Sequence, residues 1–198
     1  VAGLKTTSAE IQTVIVVPSR ELALQIEQVI REMGTGFKAN AVYGGRAFNQ
    51  DKLDLKHPPA ILVGTPGRIA DHLRRGTFDT KNVKTLVLDE FDKSLEIGFE
   101  DEMRHIISAL GEVKMRVLTS ATKAANLPSF VGLENLNIID HSKERISELQ
   151  IKTIVSPKKD KLETLAELLQ NLGNQPGIVF CNFKETIDYV SDFLTEKG

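Results

Sequence analysis

Short apolar runs, each bounded by turn or polar residues, recur along this chain and constrain its fold more than any other feature. Runs of three to five residues occur at 13–17, 60–63, 85–88, 117–119, 137–139, 151–155 and 178–181. Runs of this length are typical of strands buried on both faces of a sheet. Between several of them, apolar residues recur with helical spacing, as at Leu22, Ile26 and Ile30 and again across 162–172. Strands that alternate with helices predict an α/β fold with a parallel sheet covered on both faces.

A polar stretch at 141–148 interrupts this alternation, and a new strand and helix pattern begins after it. We therefore predict a partial first lobe at 1–142, a linker at 143–150 and the beginning of a second lobe at 151–198. An ordinary surface loop is the alternative interpretation of the polar stretch. The chain begins with Val1 and ends with Gly198 directly after an amphipathic pattern, so we expect it to be a fragment.

Composition limits the class of protein without identifying it. Hydrophobic residues make up 41% and charged residues 26% of the 198 residues, as in soluble globular proteins with a buried core. Lys and Arg number 25 against 27 Asp and Glu, so any nucleic-acid binding must be local. The one cysteine, Cys181, cannot form an internal disulfide, and no apolar run approaches the roughly 18 residues of a membrane span. We expect a cytoplasmic location and no membrane partner.

Three carboxylates, Asp89, Glu90 and Asp92, follow the apolar run at 85–88. Ligands of open parallel sheets lie at the carboxyl ends of the strands, so these acids occupy a position where a nucleotide would bind. Asp89 is suited to hold Mg²⁺, often through water, and Glu90 to accept a proton from the water that attacks a terminal phosphate. An acidic helix start, favoured by the helix dipole, is the alternative.

Three further segments contain helix-start residues or glycines and together predict a phosphate-binding surface. The residues concerned are Pro18, Arg20 and Glu21, then Gly44 and Gly45, then Thr65, Pro66, Gly67 and Arg68. Thr65 is a favoured N-cap and Pro66 suits the first helical position, so free backbone amides should face a phosphate there. Capped helices with surface arginines and an ordinary glycine turn are the alternatives.

Two short hydroxyl residues, Ser120 and Thr122, follow the apolar run at 117–119. Their side chains can hydrogen-bond to the acidic cluster or near the phosphates of a nucleotide. Taken alone, the pattern SAT is more often a turn or a helix cap.

The ordered motifs resemble those of the DEAD-box helicases of superfamily 2. They are PSRELA at 18–23, GG at 44–45, TPGR at 65–68, DEFD at 89–92, SAT at 120–122 and IVFCN at 178–182. Each motif is weak alone, but six in the family's order are a specific signal. The resemblance implies two RecA-like lobes that close around ATP and RNA and bend one RNA strand, so that a short duplex separates.

The resemblance also implies roles for individual residues. Asp89 would coordinate Mg²⁺ through water, Glu90 would activate the hydrolytic water, and Asp92 would pair with Ser120 and Thr122. The nine residues of the predicted phosphate-binding surface would contact RNA, mainly through its sugar-phosphate backbone and without sequence specificity. ATP and Mg²⁺ are therefore the expected cofactors and RNA the expected partner.

The departures from the family pattern include a mild one, Ser19 in place of the usual Thr, and two that matter more. Phe91 stands where the family has Ala, which would place a bulky ring beside the acids, and no G-x-x-x-x-G-K-[ST] sequence is present to bind the ATP phosphates. We therefore expect an ATP-dependent RNA helicase whose 198-residue chain is inactive alone. A non-catalytic RNA clamp with a decayed motor and a superfamily 2 DNA helicase are the alternatives.

Overall fold

The computed structural model describes residues 3–6, 10–121, 127–132, 137–141 and 150–197. The chain divides into two compact units, Val1–Ile138 and Ile139–Gly198. The predicted linker at 143–150 lies, except for Gln150, outside the described residues. None of the helices in the described ranges is both long and apolar enough to cross a bilayer.

The first unit contains a five-stranded parallel sheet with the strand order β2-β3-β1-β4-β5. The strands are β1 Thr13–Val16, β2 Ala39–Val42, β3 Ile61–Gly64, β4 Thr85–Leu88 and β5 Met115–Leu118. The helices are α1 Arg20–Glu32, α2 Phe48–Asp54, α3 Pro66–Arg74, α4 Phe91–Glu96 and α5 Glu100–Ala109, followed by a short 3-10 helix at Ser129–Val131. The predicted α/β fold is confirmed in this unit.

Successive side chains of each strand enter two different cores, because a strand points its residues alternately to opposite faces of the sheet. Val14 and Leu62 belong to the larger core, which also contains Ile69 of α3 and Ile106 of α5. Val63 belongs to the smaller core, together with residues of α1. Helices thus cover both faces of the sheet, which explains the continuous apolar runs of β1, β3 and β4.

The second unit contains two described helices, α6 Leu162–Leu172 and α7 Lys184–Lys197. The helix predicted across 162–172 is confirmed. The strands predicted at 151–155 and 178–181 are wrong for this structure, as is the one at 137–139, because these residues form no strand. Val155 and Phe180 are 85% and 90% exposed. A strand is stable only where a neighbour accepts its backbone hydrogen bonds, and these segments have no such neighbour among the described residues.

Candidate functional site

The residues that follow the strands of the first unit extend the parallel hydrogen-bond pattern and so meet at one edge of the sheet. The backbone N–H groups of Asp89 and Thr119 donate to the carbonyl oxygens of Val16 at 2.9 Å and Leu88 at 3.1 Å. On the other side of β1, Thr65 N–H donates to Val42 O at 3.1 Å. The residues that directly follow β3, β4 and β5 therefore lie at one carboxyl edge of the sheet.

The acidic loop after β4, residues 89–92, is held by Thr119, the residue directly after β5. The Thr119 hydroxyl donates to the Asp89 carboxylate and accepts a hydrogen bond of 3.0 Å from Glu90 N–H. The Thr119 carbonyl accepts a further bond of 3.0 Å from Phe91 N–H. Asp89 is half-buried and Glu90 is exposed, so the Glu90 carboxylate is open to water.

Glu90 precedes α4 in a left-handed backbone conformation, with φ 45° and ψ 50°. Residues other than glycine rarely occupy this region, and such strain typically costs about 1–3 kcal/mol. Strain of this kind concentrates at functional sites and persists only where neighbouring bonds enforce it. Here the enforcing contacts are those from Thr119 to residues 89, 90 and 91.

The Phe91 side chain does not lie at the exposed edge with the acids, as its position in the sequence suggests. Its side chain is only 1% exposed and packs in the larger core, with its ring centroid 6.4 Å from that of Phe130. At the left-handed turn, the Glu90 side chain lies at the surface and the Phe91 side chain lies in the core. A large residue at position 91 is therefore compatible with accessible acids.

The hydroxyl pair predicted to contact Asp92 is only partly described. Ser120 follows Thr119 on the exposed edge, whereas Thr122 lies outside the described residues. Asp92 is half-buried in the first turn of α4. The pairing of Asp92 with Ser120 and Thr122 stays a prediction.

A second part of the same edge forms an open pocket of about 500 Å³. It is lined by Gly44, Gly45, Arg46, Thr65, Gly67, Arg68, Asp71 and Phe99. Five of these eight residues belong to the predicted RNA-binding set. Side-chain carbons added at Gly44, Gly45 or Gly67 would meet no atom within 4 Å, so the backbone here faces open space. A ligand backbone can therefore approach closely at all three glycines.

Two glycines of this region are required by geometry. Gly45 has φ +86°, a conformation that side chains other than glycine strain to adopt. At Gly64, the last residue of β3, a Cβ would collide with the Val42 carbonyl oxygen of β2. The close approach of these two strands sets the position of Thr65, which begins the TPGR segment.

The remaining predicted RNA-binding residues lie at two helix starts. Ser19 caps α1 by accepting a 3.2 Å bond from Leu22 N–H, while Arg20 and Glu21 are exposed and Pro18 is buried. The Arg20 guanidinium lies 5.4 Å from the centre of the Tyr43 ring, next to the glycine pair. In α3, Pro66 takes the first helical position as predicted, but the Thr65 side chain makes no capping bond.

Arg68 holds the loop that carries Gly44 and Gly45, the glycine loop, by bonds to its backbone. Its side chain is only 10% exposed, its Nε donates to Tyr43 O at 2.9 Å, and its Nη2 donates to Arg46 O. Nε also lies 3.1 Å from the Asp51 carboxylate, which is fully buried. The guanidinium therefore organises the loop on which Gly44 and Gly45 lie, and its contact with RNA stays a prediction.

Asp51 is the centre of a buried ionic cluster that sequence reasoning missed. Besides Arg68, its carboxylate oxygens lie 3.3 Å from Arg46 Nη1 and 3.4 Å from His72 Nε2. His72 is also fully buried, its Nδ1 lies 2.8 Å from Thr77 Oγ1, and its ring stacks on Phe48 with centroids 4.5 Å apart. Burial lowers the pKa of His72 from its ordinary value of 6.5, although Asp51 opposes the shift. The neutral ring can donate to Asp51 and accept from Thr77.

Because His72 is buried, we predict that the free energy of unfolding of the first unit depends on pH. Because the unfolded chain binds the imidazole proton more tightly than the folded chain, the stabilisation is complete above pH 6.5 and is lost as pH falls towards the lower folded pKa. Within that window, the free energy of unfolding should fall by at most about 1.4 kcal/mol per pH unit. Urea denaturation between pH 5 and 8 should show this slope in the wild type and lose it in His72→Gln. The exposed His57→Gln variant is the control, and an equal loss of slope there would refute the assignment.

Comparison with known proteins agrees with this geometry. The model of the DEAD/DEAH box helicase family matches residues 1–130, which is most of the chain. The chain belongs to the DEAD/DEAH box helicase family. Similarity to solved structures of a DEAD box protein and a helicase confirms its predicted RecA-like α/β fold.

Relatives of this DEAD/DEAH box protein include a bacterial RNA helicase and a plant initiation factor. It is 31% identical to the DEAD-box ATP-dependent RNA helicase CshA of Bacillus subtilis, over 100% of the chain and 41% of that protein. It is 32% identical to eukaryotic initiation factor 4A-3 of Nicotiana plumbaginifolia, over 98% of the chain and 51% of that protein. The chain thus spans about half the length of these relatives or less.

The solved structures that are similar to the chain include a DEAD box protein and a helicase. A DEAD box protein from Methanococcus jannaschii aligns over 99% of this chain and 54% of its own, with a TM-score of 0.57 and 28% identity. A hypothetical ATP-dependent RNA helicase from Sulfolobus tokodaii aligns over 62% of this chain and 36% of its own, with a TM-score of 0.54 and 30% identity.

Proposed function

We propose that the protein to which this chain belongs is an ATP-dependent RNA helicase, in which ATP hydrolysis is coupled to local separation of an RNA duplex. The observation that supports this most is the arrangement of the first unit. The acidic loop after β4 and the open glycine pocket after β2 and β3 share one edge of a single sheet. A movement of the acidic loop during hydrolysis would therefore be transmitted to the RNA-binding residues by the sheet that carries both.

The acidic loop provides the groups that hydrolysis of a terminal phosphate needs. Glu90 is exposed and accessible to a water molecule from which it can accept a proton. The neighbouring Asp89 offers hard carboxylate oxygens of the kind that Mg²⁺ prefers. Among the described residues, no group of three His, Cys, Asp or Glu side chains is placed to hold a metal. Mg²⁺ fits this site only as a largely hydrated ion held by Asp89, and it would neutralise phosphate charge when bound.

The glycine pocket is suited to a sugar-phosphate backbone. The open backbone at Gly44, Gly45 and Gly67 lets a polyanion approach the peptide amides. The exposed Arg20 adds positive charge beside the glycine pair, although the whole chain has a net charge of -2. Contacts of this kind position a strand without reading its sequence, which favours RNA binding without sequence specificity.

ATP as a cofactor belongs to the same proposal for the full-length protein. The 198 residues contain no G-x-x-x-x-G-K-[ST] sequence to hold the phosphates, so hydrolysis by this chain alone is not expected. The Bacillus subtilis relative is named as an ATP-dependent RNA helicase, which favours RNA over DNA as the substrate. A cytoplasmic location, expected from the single cysteine, is also part of the proposal.

Duplex separation by the full-length protein tests the proposal. With Mg-ATP, it should separate a short RNA duplex and leave a DNA duplex of the same sequence paired. The 198-residue chain is the matched control and should show no appreciable RNA-stimulated turnover. Separation of DNA alone would favour a DNA helicase, and RNA binding without ATP turnover would favour a non-catalytic clamp. A robust rate by the 198-residue chain would contradict the conclusion that hydrolysis requires a G-x-x-x-x-G-K-[ST] sequence.

A further inference from the structure

Thr119 connects the end of β5 to the acidic loop through both its side chain and its backbone. Its hydroxyl contacts Asp89 and Glu90, and its carbonyl accepts from the next residue of the loop. We infer that Thr119 is a positioning residue for hydrolysis, which fixes the Asp89 carboxylate and the Glu90 backbone relative to each other. The inference rests on the proposed function, because it assigns Thr119 a role in that reaction.

The two hydrogen bonds of the Thr119 side chain require a hydroxyl group. One oxygen atom accepts from Glu90 N–H and donates to the Asp89 carboxylate, which a serine or threonine hydroxyl can do at the same time. A valine side chain has nearly the same shape and can do neither. Because threonine is branched at Cβ, its χ1 angle is restricted, and the hydroxyl is held in place at the end of the strand.

Each bond constrains a different part of the site. The bond to Asp89 Oδ1 limits rotation of the carboxylate, and therefore also restricts where its second oxygen points. The bond from Glu90 N–H satisfies a backbone donor in a left-handed residue at φ 45°, just before α4 begins. Together they order the predicted metal-binding carboxylate and the backbone that carries the predicted base through one atom, as supporting hydrogen bonds do at metal sites.

Rate measurements on the full-length protein are the first test. Thr119→Val should lower kcat for RNA-stimulated ATP hydrolysis about 10–100-fold, with the KM for RNA unchanged, and Thr119→Ser should restore it. Thr85→Val makes the same chemical change at the amino end of β4, away from the site, and should leave kcat unchanged. Because Thr119 is exposed, its loss should not unfold the sheet, and Thr119→Ala provides a second variant without the hydroxyl.

Metal binding by the 198-residue chain is a second test that needs no hydrolysis. Mn²⁺ should broaden the amide NMR signals of residues 89–91, with a midpoint about tenfold higher in Thr119→Val than in the wild type or Thr119→Ser. Equal midpoints in all three, or no broadening in the wild type, would overturn the inference, as would a wild-type kcat in Thr119→Val. If the wild type shows no RNA-stimulated hydrolysis, the proposed function fails, while the Mn²⁺ midpoints still decide the role of Thr119.

Discussion

Replacing Glu90 by glutamine should reduce RNA-stimulated ATP hydrolysis by the full-length protein about 10²–10⁴-fold, the usual contribution of a positioned base. Glutamine keeps the size and the hydrogen-bonding oxygen of the side chain but cannot accept a proton at neutral pH. Because Glu90 is exposed, the substitution removes no packing. Binding of RNA and ATP should therefore persist, and the loss should fall on kcat in steady-state assays.

The matched control for this substitution is Glu96→Gln at the other end of α4. Glu96 is also exposed, and its carboxylate pairs with Lys93 at 2.6 Å. We expect kcat within a factor of about two of the wild type, since exposed pairs of this kind contribute little. A Glu90→Gln variant with wild-type kcat would remove Glu90 from the mechanism and leave only an acidic helix start.

The strands of the first unit could be predicted to different degrees because they differ in burial. β1, β3 and β4 lie within the sheet, so their sequences are uninterrupted apolar runs that stand out in the chain. β2 is an edge strand that contains Asn40, and its sequence gives no such run. The runs at 151–155 and 178–181 have the composition of strands but no partner strand among the described residues. Pairing is a tertiary property that composition alone does not contain.

The position of a site residue could be predicted where that residue directly follows a predicted strand. Asp89 and Glu90 directly follow a buried strand, so their place at the carboxyl edge follows from the parallel sheet. Thr119 was not identified as a site residue because the predicted strand at 117–119 included it, whereas β5 ends at Leu118. Inspecting the first residue after each strand would have found it if that boundary had been placed one residue earlier.

Asp51 and His72 could not be found in this way, because their contact depends on how two helices pack. They are 21 residues apart, on α2 and α3, and neither belongs to a recognised motif. A lone aspartate or histidine in an amphipathic helix is ordinarily interpreted as part of its solvated face. Only the packed structure shows that both side chains are buried beneath the glycine loop and share a hydrogen bond.

Replacing Asp51 by alanine should destabilise the first unit by about 3–5 kcal/mol, the usual result of removing one partner from a buried ionic cluster. The carboxylate is fully buried, and its loss would leave the 10% exposed Arg68 guanidinium without its anionic partner. Since native domains are typically stable by only about 5–15 kcal/mol, this loss is a large share of the total. Urea denaturation of the 198-residue chain, followed by far-ultraviolet circular dichroism, measures it.

The neighbouring Asp54 provides the control, because it lies on the same helix and contacts the same Arg46. Asp54 is 35% exposed and pairs with Arg46 at 2.6 Å, so Asp54→Ala should cost no more than about 1 kcal/mol despite the shorter distance. Asp51→Asn keeps the shape of the side chain but removes its charge. The free energy of unfolding of this variant should therefore lie between those of Asp51→Ala and Asp54→Ala. If Asp51→Ala and Asp54→Ala destabilised the chain equally, burial would not be what makes the Asp51 cluster important. The loop that carries Gly44 and Gly45 would then be held chiefly by the bonds from Arg68 to the carbonyls of Tyr43 and Arg46.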